Sequence, residues 1–293
     1  MTDSDERPDR TRCQVTYPMV SALLKAEEFL RNTDGLVPTN DTQKIFIKEF
    51  YNSCKSDIPK IHEIESIADT NIKKINNWLK ERGFSIQLSS ISEGGFGIAS
   101  MLDLLGKWAK NGEKWSVSTE DGNYYPGIKM TNYGLGFYRV EGNQNIIIEI
   151  ETKASDKVFL LMADHAPAGL SLVKHVEDIS REMRKIEPEY EGVVFPMIDL
   201  NEEGVLKWLI GLNVGGMVVA EALQQTKLKM NHEGFRVKSA VAMGILKAPP
   251  RRGEPYVINR PFLMWITRPG LSKPLFVAYL NKDVWKNPEG LDM

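Results

Sequence analysis

The residue types that do chemistry are present in this chain but scattered. Asp41, Glu63, Glu65 and Asp69 supply carboxylates, yet no motif sets any two of them at a spacing for general acid and base work. The four histidines (His62, His165, His175 and His232) lie far apart, and the two cysteines, Cys13 and Cys54, form no CxxC. That excludes a zinc-ligand pattern and a disulfide framework, so no metal and no cofactor are expected. GGFGIAS at 94–100 lacks the lysine of a phosphate loop and the third glycine of a dinucleotide fingerprint. Gly169-Leu170-Ser171 lacks the closing glycine of a nucleophile elbow. Arg181, Arg184 and Lys185 read as a solvated helix face. The six tryptophans, Trp78, Trp108 and Trp265 among them, sit in apolar patterns and read as core. No set of residues proposes catalysis, and the chain is expected not to be an enzyme. What stands out is an exposed basic loop, APPRRGEP at 248–255, with the pair Arg251-Arg252 at its centre.

The elements that position this loop are legible around it. KLKMNHEG at 227–234 alternates apolar and polar and stops at Gly234. From there Phe235, Val237, Ser239, Val241, Met243 and Ile245 share one face. Arg236, Lys238, Ala240, Ala242 and Gly244 share the other. A period of two over this length predicts an extended strand. The Pro/Gly/Arg run that follows predicts an exposed loop. YVINRPFLMWI at 256–266 is dense in apolar residues and predicts a buried strand.

This order resembles the serpins, the serine protease inhibitor family. MNHEG is similar to the family's hinge, where a strand of the central sheet ends in Asn, an acidic pair and Gly. VINRPFLMWI is similar to the strand that follows the family's reactive loop. Further matches are DTNIKKINNWLKE, similar to the helix across the sheet, and Gly106-Lys107-Trp108 of the FKGxW corner, where Leu104-Leu105 replace the aromatic-Lys pair. VVFPMIDL at 193–200, the LKxxLxxLG-like Leu206–Leu212 and the strand Val218–Met230 also match, with Gln224-Gln225 as a departure. The resemblance spans roughly residues 42–282. The family's opening helices, including the one beneath the central sheet, have no visible counterpart before Met19.

The rest of the chain is consistent with one domain. At 293 residues, 42% hydrophobic and 26% charged, it can bury a core. A formal net charge of −2 gives no handle for nucleic acid or an anionic membrane, and neither is expected as a partner. Residues 1–18 are expected to be a disordered lead-in, and 19–293 a single serpin-like domain with a reactive-loop-like segment at 234–258. The polar N-terminus has no secretion signal and no run is long enough to span a membrane, so an intracellular, cytoplasmic location is expected, with secretion open if a signal has been removed. Helices are predicted over Val20–Leu30, Asp41–Cys54, Asp69–Gly83, Leu170–Ile186 and Leu206–Leu212. Strands dominate from Trp115 onward. The expected fold class is mixed α+β: a large, mostly antiparallel central sheet with smaller sheets and packed helices, the N-terminal helices being reduced.

The resemblance implies a mechanism. In serpins a protease attacks the exposed loop, and the loop N-terminal to the cut enters the central sheet as a new strand. The hinge would be Glu233, Gly234, Phe235 and Val237. Counting from either flank leaves the bait open among Ala248, Pro249, Pro250, Arg251 and Arg252. The two prolines are poor partners in a scissile bond. Arg251 and Arg252 would suit a trypsin-like enzyme with an acidic specificity pocket. Inhibitory members carry small residues after the hinge glycine, which slip quickly into the sheet. This chain has Phe235, Arg236, Val237 and Lys238 there. The expectation is therefore a degenerate, non-inhibitory serpin-like protein that binds a protein partner, with 235–245 already in the central sheet. The alternative is a suicide inhibitor of an arginine-specific serine protease with its bait at Arg251 or Arg252.

Overall fold

The computed structural model describes residues 10–31, 35–91, 95–131, 133–187, 190–236, 254–288 and 290–292. Its core is a seven-stranded antiparallel sheet. Phe262–Thr267 lies near its centre, between Lys157–Met162 and Phe276–Leu280. These strands read as near-continuous apolar runs because both faces are covered. Phe262, Leu263, Met264, Trp265 and Ile266 are all fully buried. Phe195 and Phe276 are buried too.

The edge of this sheet corrects the expected lead-in. Arg12–Gln14 pairs with Phe276–Leu280, and helix Thr16–Leu30 starts before Val20. Tyr17 and Val20 are fully buried, so within 1–18 the described residues from Thr11 onward belong to the fold. The same helix lies beneath the strand pair Ile64–Asp69 and Gly97–Leu102. Ser21 on it shares a 2.6 Å hydrogen bond with Ser66, whose hydroxyl also bonds Ser100 at 2.9 Å.

A second sheet carries the hinge. Its order is Ile198–Val205, Leu223–Asn231, Gly234–Arg236, Leu105–Lys107, all antiparallel. The helix expected across the sheet is Ile72–Glu81, N-capped by Asn71. Ile75 and Leu79 pack with Ala99 in a separate small core on the face opposite Thr16–Leu30. The helix predicted over Asp41–Cys54 is there, capped by Asn40 and wound more widely over Ile47–Tyr51. The helix expected over Leu206–Leu212 is only a short turn, Lys207–Leu209, because Asn213–Val214 is drawn off to pair with Leu36–Val37.

Candidate functional site

The site is the turn at Asn231–Gly234 and the strand it starts. The Asn231 carboxamide accepts the Glu233 N–H at 2.8 Å, closing the turn. Trp108 fastens it from the neighbouring corner. Its indole N–H donates to the Asn231 carbonyl at 2.9 Å, and its backbone N–H to the Glu233 carbonyl at 3.2 Å. The Gly112 N–H donates to the His232 carbonyl at 2.7 Å. The chain therefore reverses in four residues and leaves as the hinge strand, Gly234–Arg236.

The hinge strand lies between Leu223–Asn231 and Leu105–Lys107. Phe235 sits opposite Met230 on one side and Gly106 on the other. It is fully buried, 5.4 Å from the Trp108 ring, and Trp108 meets Phe195 edge-on at 6.1 Å. The two glycines here follow from this packing. A Cβ on Gly106 would stand 2.0 Å from the Phe235 ring. A Cβ on Gly234 would stand 2.2 Å from the Gly106 carbonyl oxygen. At Gly234 the backbones approach too closely for a side chain, and at Gly106 the Phe235 ring already fills the space. The large residue that departs from the inhibitory hinge pattern thus has a fitted seat in the sheet.

A cleft lies between the hinge sheet and the strand pair Ile64–Asp69 and Gly97–Leu102. Ile98–Asp103 forms one wall, and Ala222–Lys227 the other. Pro18, Met19 and Leu23 of the underlying helix form its floor. The cavity measures about 210 Å³ and is mostly apolar. One wall group is conspicuous: Gln224 Oε1 is buried without a hydrogen-bond partner, while its amide donates to Thr226 Oγ1 at 3.2 Å. Phe84–Ser89 runs over the other face. Ser85 and Ile86 N–H donate to Gln225 Oε1 at 2.8 and 3.3 Å, and Ser89 N–H to Glu221 at 2.8 Å.

The structure brings Glu233, Gly234 and Phe235 together in this site. Val237 and the bait candidates Ala248, Pro249, Pro250, Arg251 and Arg252 lie outside the described residues. The chain is described again from Glu254, and Tyr256–Val257 pairs in parallel with Gly192–Pro196. Sequence reasoning missed the roles of Gly106, Trp108 and Gln225. The signal for the first two was present in the Gly106-Lys107-Trp108 corner. Nothing in a single sequence ties Gln225 to Ser85.

No family model and no curated protein matches the sequence. Solved structures do. Thyroxine-binding globulin, in complex with thyroxine, aligns over 94% of this chain and 93% of its own at 12% identity, with a TM-score of 0.58. Human glycosylated kallistatin aligns over 94% and 92% at 11% identity, TM-score 0.57. Serpin48 of the insect Tenebrio molitor aligns over 96% and 99% at 13% identity, TM-score 0.53. The chain has the serpin fold. At these identities the likeness speaks for architecture alone, and function must come from the site. No described helix is long and apolar enough to cross a membrane.

Proposed function

We propose that this serpin-fold protein is non-inhibitory, acts by binding a protein partner, and holds 235–245 as a strand of the sheet that carries the hinge in the uncleaved chain. The observation that carries the reading is the seat of Phe235: fully buried, in register on both sides, over a glycine that leaves it room. Rapid strand entry is what trapping a protease requires. A phenylalanine that had to enter a closed sheet would displace packed side chains, at a cost of about 1–3 kcal/mol even when accommodated. Here it is already in place.

The sequence of the rest of the segment supports this reading. Phe235, Val237, Val241, Met243 and Ile245 alternate with Arg236, Lys238, Ala240, Ala242 and Gly244, the period of a strand with one apolar face. Each large apolar side chain gains roughly 1.5–3 kcal/mol on burial, and a mostly apolar cleft lies beside Leu223–Lys227 of the strand that pairs with the hinge.

An electrophoretic assay separates this reading from inhibition. Incubation with trypsin-like proteases should leave either intact protein or chain cut between Ala248 and Glu254, with no complex that survives SDS. A stable covalent complex that is lost when Arg251 and Arg252 are both replaced by alanine would establish the inhibitor instead.

A further inference from the structure

The hinge strand contains an electrostatic conflict. Arg236 sits directly opposite Lys229 in the antiparallel pair, so two cations share one face at the point where the strand enters the sheet. Like charges at directly opposed positions push strands apart. Arg236 is also poorly solvated: its side chain is 11% exposed, and its Nε is buried without a hydrogen-bond partner. Asp199 faces Lys229 from the strand on the far side, away from Arg236.

We infer that Asp292 is the clasp that makes this pair tenable. Asp292, at the end of Gly290–Asp292, reaches both strands. Its carboxylate accepts from Arg236 Nη1 at 3.0 Å, and its backbone carbonyl accepts from Lys229 Nζ at 2.6 Å. One residue thus bridges both cations and supplies Arg236 with a carboxylate partner. The two strands are joined through it at the end where the hinge begins. The positioning role is specific to this chain's hinge: a small residue at 236 would need no counter-charge.

The inference rests on the hinge strand lying in the sheet, and its test separates the two. Backbone hydrogen exchange at Phe235 and Arg236 is measured at low ionic strength for the parent protein, for Asp292→Ala, and for Lys229→Gln with Asp292→Ala. Exchange at Val193 and Val194, in a distant strand, serves as the control for the fold. The clasp predicts roughly fivefold or faster exchange at both hinge amides in Asp292→Ala, an effect that shrinks in high salt, and recovery when Lys229 is also neutralised. Unchanged exchange in Asp292→Ala, or an equal loss in the double variant, overturns the clasp and leaves the seated hinge standing. Unprotected hinge amides in the parent protein overturn the proposed function, and the clasp with it.

Discussion

Phe235 and Gly106 decide each other. The ring occupies the space a side chain at 106 would need, and the buried aromatic cluster with Trp108 and Phe195 depends on both. Replacing Phe235 by alanine should cost about 3–5 kcal/mol in denaturant melts, the range for a large buried aromatic. A cost below about 1 kcal/mol would mean the ring contributes little where it sits. Glu202 gives a second test at this scale. Burial is the main cause that pushes its carboxyl above the ordinary range; the Cys13 thiol donates to it at 3.1 Å, and Arg10 and Arg12 oppose the shift. A raised carboxyl is a penalty absent below the unfolded value, growing as pH rises and complete above the folded one. Glu202→Gln should therefore gain stability relative to the parent as pH rises above the ordinary carboxylate range of about 4. A parent-to-variant difference that stays constant as pH rises would contradict it.

At the scale of elements, the sequence showed most where one period holds and both faces agree. Phe262–Thr267 was legible because it is a dense apolar run, and it is buried from Phe262 to Ile266. Truncating Phe262 to alanine should cost about 3–5 kcal/mol, and a loss under about 1 kcal/mol would contradict its central place. The hinge turn was legible because Asn231 and Gly234 have local work to do. Other elements depend on partners far along the chain. Arg12–Gln14 has the composition of a charged tail, and it becomes a strand only because Phe276–Leu280 offers an edge. Leu206–Leu212 carries helix-like spacing, but pairing of Asn213–Val214 with Leu36–Val37 wins over it. The amphipathic pattern reads as a helix only from Val20, whereas the helix begins at Thr16. Its burial under the sheet is a tertiary fact. Phe84–Ser89 alternates apolar and polar like a strand, with Phe84, Ile86 and Leu88 the less exposed, yet it pairs with no described strand. Its backbone donors go instead to the side chains of Gln225, Asn76 and Glu221, a solution the alternation does not announce.

At the scale of the whole molecule, the question is whether strain is stored. A serpin that waits with its loop outside the sheet is metastable and gains stability when the loop is cut and inserts. A protein whose 235–245 is already a strand has nothing left to release. The proposal of the second state rests on the seated Phe235, the mostly apolar cleft beside the neighbouring strand and the Arg236–Asp292 ion pair. Thermal unfolding before and after a single cut near Arg251 tests this most directly. The account predicts nearly coincident melting temperatures. A rise of tens of degrees after cleavage would contradict it.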